Sequence, residues 1–170
     1  MIKLFPSAEE SSAYQIDFQK EYEKGIRGVL FDVDNTLVPH GAPADHRAAA
    51  LFAALRQMGM KTCIISNNKE PRVKPFAEAV GSPFICQAGK PSVRGYQQGM
   101  KLMGTEPKST LFVGDQIFTD IYGANRASIR SYLVHPINPR EEIQIVLKRY
   151  LEKPVLAAYH RTVRKDKTNR

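Results

Sequence analysis

Val29-Leu30-Phe31-Asp32-Val33-Asp34-Asn35-Thr36-Leu37 is the stretch on which the fold turns. An apolar run from Gly28 to Phe31 ends abruptly in two aspartates. Burying a charge is costly unless it is paired or metal-bound. A strand that leaves the core into Asp-x-Asp therefore delivers carboxylates to a site. Alternate residues of an extended chain point the same way, so Asp32 and Asp34 share a face while Val33 turns back to the core. Two close carboxylates repel unless a cation or a proton lies between them. Such a pair suits a hard divalent ion and a reaction with an attacking and a protonating group. The competing reading is a plain turn, in which the aspartates and Asn35 bond to local backbone.

Around this stretch the chain is ordinary. Its 170 residues suit one domain with a sizeable core. A hydrophobic fraction of 42% and a charged fraction of 25% are those of a soluble protein. No apolar run is long enough to span a bilayer. Met1-Ile2-Lys3-Leu4-Phe5-Pro6 lacks the apolar region of a signal peptide. Cys63 and Cys86 lie in apolar, strand-like runs and read as reduced core thiols, so a cytoplasmic protein is expected. The net charge of +8 is uneven. Arg140, Lys148, Arg149, Lys153 and the basic residues from Arg161 to Arg170 face few acids. A basic end attracts anionic membranes or nucleic acid, and it can equally be a solvated tail.

Taken in order, Ser7 and Glu10 have the spacing of a capping box. Asp17 is placed to cap a short helix through Lys24, with Gly25 as its stop. Arg27 to Asp32 is a strand, and Asp45 to Met58 a helix with Ala48, Leu51, Phe52 and Leu55 at helical spacing. Strands over Lys61 to Ile65, Pro83 to Cys86, Thr110 to Val113 and Ser131 to Val134 follow. They alternate with helices over Pro71 to Val80, from about Ser92 to Met103, and from Thr119 or Asp120 to Ala127. Arg140 to Leu151 carries Ile143, Val146, Leu147, Tyr150 and Leu151 on one helical face. Pro154 is expected to break that helix, Val155 to Val163 to form another, and the remainder to be disordered.

Strand and helix alternation argues for an α/β fold, a parallel sheet with helices on both faces. Ligands in such sheets bind beyond the carboxyl ends of the strands. Asp32, Ser66, Lys90 and Asp115 each follow a predicted strand, so all four fall on that edge. Asp32, Asp115 and a backbone carbonyl suit Mg2+, which takes few carboxylates and keeps several waters. A phosphate would meet the metal on one side and Lys90 on the other, with Ser66 and amides near Asn67 as donors. A carboxylate is a competent nucleophile toward a phosphoryl group. Asp34, outside direct side-chain contact with the metal, is placed to serve as the acid. Asn35 and Thr36 shape the turn that presents it.

Asp32-Val33-Asp34-Asn35-Thr36, Ser66, Lys90 and Gly114-Asp115-Gln116-Ile117-Phe118-Thr119-Asp120 stand in the order of four motifs. On these the chain resembles the haloacid dehalogenase superfamily over about Gly28 to Asp120. The resemblance implies a Rossmann-like fold, Mg2+ dependence, Asp32 as nucleophile and Asp34 as acid and base. It also implies metal binding by Asp32, by the Asp34 carbonyl and by Asp115. Ser66, Asn67 and Lys90 would bind the phosphoryl group, and Asp120 would support the metal through water or Lys90. An acid at Asp34 resembles the phosphatase side of the superfamily rather than the dehalogenases. The gaps between the motifs are filled by the fold's own helices, so the chain looks capless, with an open site suited to a large or surface-bound substrate.

Gly25-Ile26-Arg27-Gly28 leading into the first motif, Ser66-Asn67-Asn68-Lys69-Glu70 and the fourth motif are similar to the class IIIA, YqeG-like branch, up to about Leu151. Relatives of that branch include mitochondrial phosphatidylglycerophosphate phosphatases, which implies a lipid phosphate as one candidate substrate beside phosphorylated small molecules. The division expected is 1–153 as one hydrolase domain and 154–170 as a basic extension. The helix from Arg140 is compatible with docking on an anionic membrane, or with packing on the sheet. His40, Lys69 and Arg72 lie near the motifs, where they could face an anionic substrate or simply solvent. The alternative from another class is a scaffold binding RNA, ribosome or membrane without catalysis, and a phosphotransferase would use the same residues.

Overall fold

Asp32 stands at the end of a strand buried on both sides. The computed structural model describes residues 3–138 and 143–168, the side chains of 143–145 and 166–168 excepted. Six strands form one parallel sheet: β1 (Ala8–Glu10), β2 (Gly28–Phe31), β3 (Lys61–Ile65), β4 (Phe84–Ile85), β5 (Thr110–Gly114) and β6 (Arg130–Val134). Their order is β1-β6-β5-β2-β3-β4. The described helices are α1 (Phe18–Glu23), α2 (His46–Gln57), α3 (Glu70–Val80), α4 (Val93–Met103), α5 (Tyr122–Arg126) and α6 (Ile143–Thr168).

The apolar runs of β2 and β5 follow from helices covering both faces of the sheet. Val29, Phe31, Leu111 and Val113 pack with Phe18 of α1, Phe52 and Leu55 of α2, and Val73 and Phe76 of α3. Leu30, Cys63 and Phe112 point the other way, onto Tyr96 and Met100 of α4 and Ala124 of α5. Cys63 and Cys86 are free thiols. From β2 the chain runs outward through β3 and β4, then crosses back to β5 on the other side of β2. The crevice at such a reversal, at the carboxyl ends of the strands, is where these sheets bind ligands. Between β2 and β5 the described elements are α2, β3, α3, β4, α4 and a short 3-10 turn (Pro107–Ser109), with no inserted cap.

Local signals explain several boundaries. The Asp17 carboxylate accepts from the Lys20 amide and caps α1, and Asp45 does the same for α2 through Ala48. Gly81 and Gly104 end α3 and α4 in the left-handed conformation (φ 66° at each).

Three expectations are corrected. Ser7 to Glu10 is no capping box: Ala8–Glu10 is an edge strand paired with β6, and the Ser7 amide donates to the Ser131 carbonyl at 2.9 Å. The pairing partner lies at the far end of the chain, so a local pattern could not reveal it. The last motif does not open directly into an α-helix. Ile117–Ile121 is a π-helical turn that continues into α5. Pro154 does not break the C-terminal helix either. α6 runs through it to Thr168, because Glu152, Val155 and Leu156 on its inner face are packed and bonded to the fold. That anchoring outweighs the one backbone bond proline forfeits. The predicted start of this helix at Arg140 falls within residues 139–142, which lie outside the described residues.

Candidate active site

β2 delivers Asp32, and the next residues form a tight loop. Val33 is buried (2% exposed), and its carbonyl accepts from the amides of Thr36, Leu37 and Val38. Asn35 sits at φ 62°, a left-handed conformation that asparagine tolerates better than most residues. Its carbonyl accepts from the Ile137 amide at 3.1 Å, tying the loop to the chain after β6. Asp115 follows β5, hydrogen-bonded beside β2 in the register Phe31 to Val113. The two aspartates are therefore neighbours because their strands are.

Lys90, only 8% exposed, bridges the centre. Its ammonium lies 2.6 Å from Asp32 Oδ1 and 2.7 Å from Asp120 Oδ1. The other oxygen of Asp120 accepts from the amides of Asp115 (3.2 Å) and Gln116 (3.1 Å). Tyr96 fixes the π-helical turn from below, its hydroxyl donating toward the carbonyls of Thr119 and Asp120. The Thr36 hydroxyl lies 3.4 Å from Asp32 Oδ2 and 3.2 Å from Asp115 Oδ1. Asn67 clasps the Lys90 backbone, accepting from its amide at 2.7 Å and donating to its carbonyl at 3.2 Å. Ser66 is buried, and its hydroxyl accepts from the Asn68 amide at 3.1 Å.

A cleft of about 240 Å³ opens above these groups. Asp32, Asp34, Ser66, Asn67 and Lys90 line it, with Asn35, His40, Asn68, Gln116, Thr119 and Lys148 at its walls. Thus the structure brings together the residues expected from the four motifs. Asp34 differs from Asp32 in its surroundings. Its carboxylate accepts from the Gly41 amide (2.7 Å) and Asn68 Nδ2 (2.7 Å), and pairs with Arg72 Nη2 at 2.8 Å.

The negative charge exceeds the positive charge close to it. Ligand oxygens of Asp32, Asp115 and Asp120 all lie within 4.8 Å of one another, and all three residues are buried. Burial, opposed by Lys90 and assisted by Asp120, pushes the Asp32 carboxyl up to about 6. Burial and the charges of Asp120 and Asp32 raise Asp115 well above the usual carboxylate range, against the pull of Arg149. Burial works against the charge of Lys90, but Asp120 and Asp32 outweigh it and raise its pKa. Buried carboxylates in excess are what a hard, oxygen-seeking dication relieves. The donor set therefore fits Mg2+.

Several residues here had weak or no sequence signals. Arg72 and Asn68 grip Asp34; both adjoin the Ser66 motif, but nothing local shows which way they turn. Arg149 comes from α6, pairing with the Asp115 carboxylate and donating to its carbonyl. Glu152, 3% exposed, accepts from the Ile117 amide at 2.7 Å and lies 3.3 Å from Arg149. No motif links α6 to the fourth strand-end loop, so only the folded chain reveals the contact.

A parallel sheet with an acidic, lysine-bridged crevice at its reversal defines a class that the comparisons name. The family model of haloacid dehalogenase-like hydrolases matches residues 42–128, and the chain belongs to that family. The "Probable phosphatase YqeG" of Bacillus subtilis (strain 168) is 33% identical over 164 residues, 95% of each chain. A phosphatidylglycerophosphate phosphatase 1, chloroplastic/mitochondrial, of Arabidopsis thaliana is 27% identical over 87% of this chain. This chain spans 48% of that relative's length. The cobalt-bound deoxy-D-mannose-octulosonate 8-phosphate phosphatase of Haemophilus influenzae superposes with a TM-score of 0.50 at 16% identity, over 81% of this chain and 91% of its own. That likeness is one of fold. The relatives put the chain among the phosphatases of its family.

Proposed function

We propose that the protein is a Mg2+-dependent phosphate monoester hydrolase working through an aspartyl phosphate on Asp32. The substrate class best supported is a phosphorylated lipid headgroup, phosphatidylglycerophosphate or a similar phosphomonoester. The observation that carries the chemistry is the Asp32 carboxylate at a strand end, facing the cleft and bonded to Lys90 at 2.6 Å.

In this reading an Asp32 oxygen attacks phosphorus and the bond to the leaving oxygen breaks. Asp34, at the cleft wall, gives that oxygen its proton. Water then attacks the aspartyl phosphate, Asp34 takes the water's proton, and inorganic phosphate leaves with Asp32 regenerated. Lys90 and the Ser66 and Asn67 donors hold the phosphoryl oxygens. Asp32, Asp115 and the Asp34 carbonyl would hold the metal, with Asp120 in support. When bound, Mg2+ supplies charge neutralisation at phosphorus and keeps Asp32 ionised. Arg72 and Asn68 orient Asp34, while Asn35 and Thr36 set the loop. The lipid substrate is supported by the names of the plant and algal relatives and by the absence of any inserted cap over the cleft among the described residues.

The test is phosphate release with Mg2+ and with EDTA, for wild type and Asp32→Asn. Aryl, sugar and nucleotide phosphates and phosphatidylglycerophosphate in mixed micelles form the panel. Mg2+-dependent turnover, reduced at least about 10³-fold in Asp32→Asn, is expected, with the lipid preferred. Turnover confined to soluble esters removes the lipid reading. No turnover and no Mg2+ binding leaves a non-catalytic scaffold.

A further inference from the structure

α6 has two unlike faces. Arg149, Glu152, Val155 and Leu156 turn inward, to Asp115, the Ile117 amide and a cluster of Ile117, Ile121 and Leu133. Outward stand Leu147, Tyr150 and Leu151, 65%, 62% and 61% exposed. Spacing of three and four residues puts them on one stripe. These are the residues whose amphipathic spacing admitted packing on the sheet, and they do not pack there. Beyond Pro154 the same stripe continues through Ala158 to Arg161 and Lys165, all exposed. Among the described side chains of α6, Glu152 is the only acid, and it is buried. Lys148 and Lys153 flank the apolar stripe, with the Lys153 ammonium 4.2 Å from the centre of the Tyr150 ring. Lys148 also lines the cleft beside Asp32 and Asp34.

We propose that this face of α6 is a docking surface for an anionic lipid bilayer, and that docking lays the bilayer against the mouth of the cleft at Lys148. Contiguous exposed apolar side chains mark an interaction surface. Leucines and a tyrosine bordered by lysines are the composition of a helix lying in the membrane interface, the apolar stripe among the acyl chains and the cations among anionic headgroups. A nucleic acid is a poorer occupant, since phosphate binding draws on lysine and arginine and leaves leucines in water. A second copy is poorer too, because two such faces would oppose lysine to lysine on chains that each carry a net charge of +8. The inference rests on the lipid-phosphate reading for its purpose, but docking is measurable without turnover.

The experiment is co-sedimentation of the full chain with vesicles of phosphatidylcholine alone or mixed with phosphatidylglycerol. It compares wild type with the double variant Leu147→Glu, Leu151→Glu. Wild type should bind the anionic vesicles at least about tenfold more tightly than the neutral ones, and less tightly in high salt. The variant should lose at least about tenfold, with its melting temperature and its turnover of a soluble aryl phosphate unchanged. Equal binding by the variant, or equal binding to both vesicles, overturns the proposal. So does a wild-type dimer that the variant dissociates, which makes a second copy the occupant. Vesicle binding without turnover of the lipid ester rejects the substrate reading and leaves docking standing. Turnover of micellar lipid ester without vesicle binding does the reverse.

Discussion

Lys90 holds two carboxylates at once, and its replacement separates packing from charge. In Lys90→Met the stem is kept while Asp32 and Asp120 lose their shared counter-ion in a buried site. Removing one partner of a buried ion pair costs about 3–5 kcal/mol. Urea denaturation in EDTA should show a loss of that order; a loss below about 1 kcal/mol would mean that water or rearrangement already screens the carboxylates. Gly114 tests the same cluster by space alone. A β-carbon there would meet Asp120 Oδ2 at 2.6 Å and a Phe112 ring carbon at 2.7 Å. Gly114→Ala should therefore displace Asp120 and cost about 1–3 kcal/mol, read by the same denaturation. Much of this centre could be read from the chain. Asp32, Ser66, Lys90 and Asp115 each end or follow a predicted strand, and a parallel sheet sends all strand ends to one edge. Arg72, Arg149 and Glu152 could not be read so. Their roles depend on which way a helix faces, and spacing within a helix does not say what lies opposite.

Among the elements, those defined by local chemistry were legible and those defined by distant partners were not. Lys61–Ile65 was bounded by Gly59 and by Ser66-Asn67-Asn68, and the helix after Asp17 by its cap. β1 was invisible, since three residues become a strand only when β6 lies beside them. α6 shows the same limit from the other side. Proline lacks a donor and crowds the preceding turn, so Pro154 reads as a stop; contacts made by residues before and after it keep the helix whole. That local conflict yields a prediction. Pro154 is exposed, so Pro154→Ala removes no buried contact and restores a backbone donor. The variant should gain about 1–3 kcal/mol in the local stability of α6, seen as slower amide exchange on both sides of residue 154. Unchanged or faster exchange would mean that the proline, not the packing, shapes this helix.

At the scale of the whole molecule, a protein with net charge +8 keeps its most buried charges negative. Asp32, Asp115 and Asp120 are gathered inside, with Lys90 and Arg149 as their near cations. Stability and metal binding are then linked through protons. Asp32 is raised from 3.8 to about 6, first by burial. A group raised in the folded state contributes stability that is complete below its unfolded pKa and is lost as pH rises through its folded pKa. For Asp32 that window runs from about 4 to about 6, with an upper bound of about 3 kcal/mol. The metal-free protein thus carries a penalty above pH 6 that a dication on the ionised carboxylate would remove. The rise in melting temperature on adding Mg2+ should accordingly be larger at about pH 7.5 than at about pH 5. The difference between Mg2+ and EDTA at each pH cancels every titrating group that the ion does not touch. Asp32→Asn should weaken the pH dependence without abolishing it, because its amide has no proton for the metal to displace while the buried Asp115 carboxyl, also raised, still has one. A Mg2+ effect equal at both pH values in wild type would mean that Asp32 is not among the ligands.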